Sequence, residues 1–361
     1  MAILMVVLYH SDPNSSAPFM NTGRPTGAGW MGVPIFFVLS GFLISYPMFL
    51  RSLQGEAIPW PPGYALKRVA KIVPPFYLSL VIFLIWYRYL NHESGLVSLA
   101  LKWAVGLPNF VPDKRELNGV YWSLIVEVQF YVLLPILFAV FRKLQYRTLG
   151  IMIFGLMLTV PGLVRYLTWK PDTELATVNF LMARFPCKLD FFGWGVMFAW
   201  LFAGKLLAHD TPRRLANVGY AGICLLIVMI AAWAHLIRVE RIHEHPTLLN
   251  INLFEYGLGL AGFLMLFFVY DPTQWGARFF SNHWLRFTGI ISYEWFLFHQ
   301  PVVRTYFSWV GAPYGNVLSL ANVIIAPALA TYIFSAFIYR YFSLPIMRRL
   351  RDKSASKKLP A

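Results

Sequence analysis

Tyr121-Trp-Ser-Leu-Ile-Val-Glu-Val-Gln-Phe-Tyr-Val-Leu-Leu-Pro-Ile-Leu-Phe-Ala-Val140 carries one formally charged side chain, Glu127. A run of about twenty apolar residues is long enough to cross the roughly 30 Å of bilayer hydrocarbon as a helix. A carboxylate inside such a helix is costly unless it faces a bundle interior or a water-filled cavity. This span therefore requires neighbouring helices. Ser123, Glu127 and Tyr131 follow at i, i+4 and i+8, which places them on one helix face as a continuous polar stripe.

Runs of comparable length lie at 30–50, 72–90, 149–168, 187–207, 216–237, 253–270, 284–301 and 318–342. Residues 2–9 are also apolar but reach only about 12 Å as a helix, less than half a crossing. They are expected to be the second half of a first span, in a chain that starts downstream of its true beginning. The fold class is thus all-α, a polytopic integral membrane helix bundle with about ten transmembrane helices. Residues 1–343 form the membrane domain and 344–361 a basic tail. Composition agrees: 13% of residues are charged, about half the share in soluble domains, and the 13 Trp and 19 Tyr suit the two membrane interfaces. The net charge of +15 is spread in short clusters between apolar runs, which argues against nucleic acid and for a bilayer surface and an anionic substrate. Most Lys and Arg fall on the side of the C-terminal tail. The positive-inside rule therefore puts the C-terminus in the cytoplasm, with loop 11–29 outside. Cys187 and Cys224 sit in or beside apolar runs and suggest no disulfide framework. His243 and His245 flank Glu244 without helical spacing, and no metal site is read from them.

His10, Glu127, Asp190, Glu255, Glu294 and His299 are the ionisable groups placed where lipid disfavours them. Glu127 either lines a cavity or pairs with a cation on another helix to fix packing. His10 ends its apolar run ahead of the turn-forming Ser11-Asp12-Pro13-Asn14. It is a proton acceptor for a hydroxyl or simply a helix-end residue. Lys67, Arg68 and Lys71 share a face just before Ile72-Val73-Pro74-Pro75, where they either hold phosphates or anchor the chain at the inner surface. The Pro pair is expected to mark where that span begins. The Ser40-Gly41 step allows close helix approach or access of a ligand to backbone.

The order of these pieces resembles the acyltransferase 3 family of bacterial membrane O-acyltransferases. A histidine closes span one, Gly32-Val-Pro-Ile-Phe-Phe-Val-Leu-Ser-Gly-Phe-Leu-Ile44 follows, then a basic cluster before Ile-x-Pro, then Trp122-Ser-Leu-x-x-Glu127-x-x-Phe130-Tyr131. Residues 188–199 are similar to that family's Arg-x-x-x-Phe-x-x-Gly-x-x-x-Ala pattern. Ile291-Ser-Tyr-Glu-Trp-Phe-Leu-Phe-His299-Gln-Pro301 is similar to its Ser-Tyr-x-x-Tyr-Leu-x-His-x-Pro segment. The resemblance covers nearly the whole chain. Lys71 and Lys188 stand where the family usually has Arg, and so lack the planar fork that grips phosphate bidentately. Phe296 replaces a usual Tyr, and the Arg usual about eleven residues before the histidine would precede Met1.

The resemblance implies transfer of an acyl group, often acetyl, from cytoplasmic acyl-CoA to a hydroxyl of a glycan, glycolipid or similar acceptor, at the bacterial plasma (inner) membrane. No tightly bound cofactor is expected; acyl-CoA is the donor substrate. His10 and Glu127 are the expected catalytic residues. Lys67, Arg68, Lys71, Ser40, Trp122, Ser123, Tyr293 and His299 are the expected substrate-binding set. His10 acts as general base on the acceptor or carries the acyl group covalently in turn. Two rival classes share the buried His and Glu. A secondary transporter or lipid flippase commonly has matching halves, and none are visible here. A noncatalytic scaffold would use its basic tail to hold anionic lipid.

Overall fold

A computed structural model describes residues 1–11, 25–56, 60–90, 95–106, 117–170, 180–207, 212–239, 247–310 and 317–356. The His243-Glu244-His245 triplet lies outside the described residues. All regular structure among the described residues is helical. α1 is Ala2–His10, followed by a 3-10 helix at Pro25–Met31, α2 at Gly32–Leu53, α3 at Tyr64–Leu90 and α4 at Leu96–Ala104. Next come α5 (Tyr121–Val140), α6 (Tyr146–Thr168), α7 (Phe185–Ala203), α8 (Pro212–Val239) and α9 (Leu248–Met265), which continues as a 3-10 turn to Tyr270. α10 (Trp275–Phe280) and α11 (His283–Ile290) are short, and α12 (Ser292–Val310) and α13 (Val317–Ile338) are long. A π-helical turn at Tyr339–Ser343 leads into α14 (Leu344–Ser356), so the basic tail begins as helix.

Six described helices are long and apolar enough to cross a membrane: α2, α3, α5, α6, α8 and α9. This is a multi-pass membrane protein. The six are fewer than the ten expected from the apolar runs. α1 has nine residues, α7 carries Lys188 and Asp190 in its interior, and α12 carries Glu294, His299, Gln300 and Arg304.

The chain forms two compact units. The first contains α1 up to Tyr9, α2, α5 from Ser123 onward, and α6 to α10 with the first turn of α11. Its centre is a close crossing of α2 and α7. A Cβ on Gly41 would run into the backbone carbonyl of Phe192, and one on Gly195 into the carbonyl of Val38. Glycine at both positions is what lets the two backbones touch. Around the crossing, the ring of Phe192 stacks on Phe130 of α5 at 4.1 Å and on Phe37 of α2 at 4.6 Å. The small-residue reading of the Ser40-Gly41 step therefore holds for Gly41.

The second unit contains His10, α3, α4, Tyr121 and Trp122 at the start of α5, and α11 from Phe287 through α14. Here the expectation for the Pro pair is corrected. α3 begins at Tyr64 and runs straight through Pro74 and Pro75, so Lys67, Arg68 and Lys71 lie in its first two turns and not ahead of it. Each Pro removes one N–H from the helical ladder. Inside a membrane bundle, side chains of neighbouring helices serve the altered backbone. Tyr293 of α12 donates its hydroxyl to the Ile72 carbonyl at 2.8 Å, just ahead of the Pro pair. In α12, Pro301 leaves the Leu297 carbonyl without its helical donor. The Asn118 amide fills that place at 2.7 Å. Trp295 donates to Thr331 Oγ1 at 3.0 Å and Trp86 to Thr305 Oγ1 at 3.0 Å, tying α12 to α13 and to α3.

Candidate active site

His10 is the last residue of α1 and is half-buried; His299, in the third turn of α12, is fully buried. The two rings meet: His299 Nε2 lies 2.9 Å from His10 Nδ1, with centroids 4.9 Å apart. The other nitrogen of His299, Nδ1, sits 3.1 Å from the Trp295 carbonyl oxygen and 2.9 Å from that of Phe296, its own i−4 and i−3 neighbours. The pair joins residues 289 positions apart. Both were expected site residues, but one catalytic and the other substrate-binding. Phe296, in place of a tyrosine, packs its ring 6.1 Å from His299.

The basic cluster belongs to the same unit. Lys67 and Lys71 are exposed and Arg68 is half-buried. The Arg68 guanidinium lies 5.9 Å from the Tyr64 ring centroid. Position within the first two turns of α3 adds something that sequence alone did not supply. Lys67 lies in the first turn, where the positive end of the helix dipole favours anions. Tyr293, bonded to the Ile72 carbonyl, is next to this cluster along α3. Trp122 is half-buried at the second position of α5.

Glu127 lies in the first unit. Ser40 Oγ donates to its Oε1 at 2.6 Å, and Tyr131 donates to the same oxygen. The polar stripe is thus real, and α2 supplies its partner. Ser123 is buried one turn earlier on the same face. Among the described residues no cation pairs with Glu127, and its Oε2 accepts no hydrogen bond there. A carboxylate with one oxygen held by two hydroxyls and the other unoccupied by protein is oriented, with capacity left for a substrate group.

The ion pairing expected as the alternative role for Glu127 occurs elsewhere in this unit. Arg165, near the end of α6, donates to Asp190 at 2.7 Å and contacts Glu255 at 3.5 Å. Lys188 pairs with the other Glu255 oxygen at 2.6 Å. Arg165 also donates to Asn252 Oδ1 at 3.2 Å and to the Cys187 carbonyl. Asp190 accepts in addition from the Phe191 N–H at 3.0 Å. All four charged groups are buried, and together they sum to zero. α6, α7 and α9 meet in this cluster. Sequence reading placed Asp190 and Glu255 on the costly list but missed Arg165, because an arginine near a span end reads as a group that snorkels to the interface. The signal available was the nearby Lys188-x-Asp190 pair, which needed partners of both signs.

These observations describe a multi-pass helical membrane protein with imidazole and carboxylate groups inside its bundle. Residues 1–340 match the family model described as an acyltransferase domain, and the chain belongs to this family, acyltransferase 3. It is 23% identical over 370 residues to a Staphylococcus aureus (strain COL) protein named "Putative O-acetyltransferase SACOL0978", covering 96% of this chain and 56% of that protein. It is 23% identical over 371 residues to the protein of Listeria monocytogenes named peptidoglycan O-acetyltransferase OatA, covering 96% of this chain and 54% of that one. The chain therefore spans little more than half the length of these relatives. No solved structure matches it.

Proposed function

We propose that this chain is a membrane O-acyltransferase. It moves an acyl group, acetyl by the names of its relatives, from cytoplasmic acyl-CoA to a hydroxyl of an envelope glycan, glycolipid or similar acceptor. The observation that carries the reading is His10, hydrogen-bonded to a buried partner in a chain that matches an acyltransferase domain over residues 1–340. The Listeria relative makes a cell-wall glycan the first acceptor to test. In the proposed reaction His10 takes the proton of the acceptor hydroxyl as its oxygen attacks the thioester carbon. The C–O bond forms, the C–S bond breaks, and the departing thiolate receives that proton back from His10. Glu127, fixed by Ser40 and Tyr131, keeps its second oxygen for a polar group of a substrate.

In this reading α7, α12 and α13 cross the bilayer as well, with the C-terminus in the cytoplasm of a bacterium. α7 and α12, with 19 residues each, reach about 28 Å, close to a full crossing. Lys188 and Asp190 of α7 and Glu294 and His299 of α12 are buried in the protein, which is the condition for such groups in a membrane.

The test is transfer of radiolabel from acetyl-CoA by membranes carrying the chain. Label entering a glycan or lipid fraction, and depending on His10, supports the reading. Substrate-dependent ion flux without thioester consumption would favour a transporter instead. Two substitutions sharpen it. Gln in place of Lys67 and Arg68 is expected to raise the donor KM about tenfold or more, since hydrogen bonds to charged groups contribute roughly 1.5–3 kcal/mol. kcat should stay nearly constant, and a fall in kcat at constant KM would count against phosphate binding. Glu127→Gln keeps an oxygen able to accept from both Ser40 and Tyr131, so folded yield should be unchanged. Transfer should drop on the order of 10²-fold, the scale of losing one positioned polar group. Poor yield with normal activity per folded molecule would reassign Glu127 to packing.

A further inference from the structure

We infer that His299 is a positioning residue that fixes the tautomer of His10, and not a substrate-binding group. His299 Nδ1 faces two carbonyl oxygens, of Trp295 at 3.1 Å and of Phe296 at 2.9 Å. A carbonyl oxygen only accepts, so Nδ1 is the nitrogen that carries the proton. In the neutral ring the remaining nitrogen, Nε2, is then an acceptor. It faces His10 Nδ1 at 2.9 Å, and one of two nitrogens in hydrogen-bond contact must donate. His10 Nδ1 is therefore protonated. The lone pair of His10 is left on Nε2, the nitrogen at the far end of its ring.

This is the orientation that a general base requires, since the nitrogen tied to the protein is the donor and the other is the proton acceptor. In serine hydrolases a buried carboxylate sets the tautomer; here a neutral imidazole anchored to two carbonyls does so. Full burial of His299 suits the choice, because a neutral acceptor needs no counter-charge inside the bundle. The anchor is rigid. Nδ1 bonds within its own helical turn, and the turn is held by Asn118 at the Leu297 carbonyl and by Trp295 at Thr331. When His10 accepts the hydroxyl proton, the Nδ1–H···Nε2 bond strengthens toward the new positive charge. His299 thereby stabilises the imidazolium without touching either substrate.

The inference rests on His10 being the base, and the experiment separates the two claims. Protein labelled with 13C,15N-histidine is placed in bilayers near neutral pH, and the ring signals of His10 are identified by their loss in His10→Asn. His10 and His299 are each expected to be protonated at Nδ1 and unprotonated at Nε2. A His10 signal protonated at Nε2 would overturn the inference, because its basic nitrogen would then face His299. In transfer assays His299→Leu should lower kcat on the order of 10²-fold with both KM values unchanged. His299→Gln, whose amide oxygen can accept from His10 Nδ1–H, should recover to within about tenfold of the parent. A rise in acceptor or donor KM, or equal losses in the two variants, would return His299 to a binding or packing role. Transfer that persists in His10→Asn would remove the reading of His10 itself, whichever tautomer is observed.

Discussion

Replacing His10 with Ala is expected to reduce acyl transfer by about 10²–10⁴-fold, the contribution of a positioned general acid or base, while the protein still inserts and purifies as a folded species. The two halves of this expectation have separate grounds. Chemically, the acceptor hydroxyl is a poor nucleophile until its proton has somewhere to go, and His10 is the imidazole whose partner on α12 holds it in one orientation. Structurally, His10 is the final residue of α1 and only half-buried. The contacts that seat α1 lie earlier, where Gly29 and Gly32 leave room for the carbonyls of Met5 and Ala2. Loss of the hydrogen bond to His299 and of a helix-end group costs on the order of 1 kcal/mol each. The measurement is labelled acetyl incorporated per unit of detergent-solubilised, monodisperse protein. Near-parental transfer would sink the assignment of His10. Loss of both transfer and folded protein would show that the ring is needed for assembly, and His10→Asn would then have to decide the chemistry.

How much of this was legible in the sequence depends on the distance over which each feature acts. The Ser123-Glu127-Tyr131 stripe was readable because it repeats with the helix itself, and Tyr131 does bond to Glu127. Ser40 as the second donor was not, since it comes from a helix 87 residues away. The histidine pair has the same character: each ring could be flagged as an ionisable group in an apolar run, but their meeting is a tertiary fact. The Pro74-Pro75 pair misled because a propensity rule drawn from water was applied in a setting where neighbours serve the altered backbone. Asn118, at the Leu297 carbonyl that Pro301 frees, is such a neighbour in α12. The apolar runs located α2, α3, α5, α6, α8 and α9, whereas the run at 284–301 covers the short α11 and only the first half of α12, and α7 falls short in apolarity because it carries the buried charges Lys188 and Asp190.

Asp190→Ala is expected to destabilise the protein by about 3–5 kcal/mol, the range found when one partner of a buried ion pair is removed. In the parent, Arg165, Lys188, Asp190 and Glu255 are all buried and sum to zero charge. Among the described residues the substitution leaves Arg165 with one carboxylate, Glu255 at 3.5 Å, and Glu255 is already engaged by Lys188 at 2.6 Å. One positive charge is then uncompensated in an interior that cannot solvate it. The double substitution Arg165→Met with Asp190→Leu removes a cation and an anion together. Lys188 and Glu255 remain as a neutral pair, so most of the lost stability should return. Thermal unfolding of the purified proteins in detergent reads the difference. An unchanged midpoint in Asp190→Ala, or a double variant less stable than the single, would mean that the cluster does not act as a closed set of charges. Transfer by the double variant then decides what the cluster is for. Activity per folded molecule close to that of the parent assigns it to holding α6, α7 and α9 together. On that outcome the family-like segment at residues 188–199 is a packing device throughout, with Lys188 in the charge cluster, Phe192 stacked on Phe130 and Gly195 against the Val38 carbonyl. A stable but inactive double variant would instead give these charges a part in the reaction.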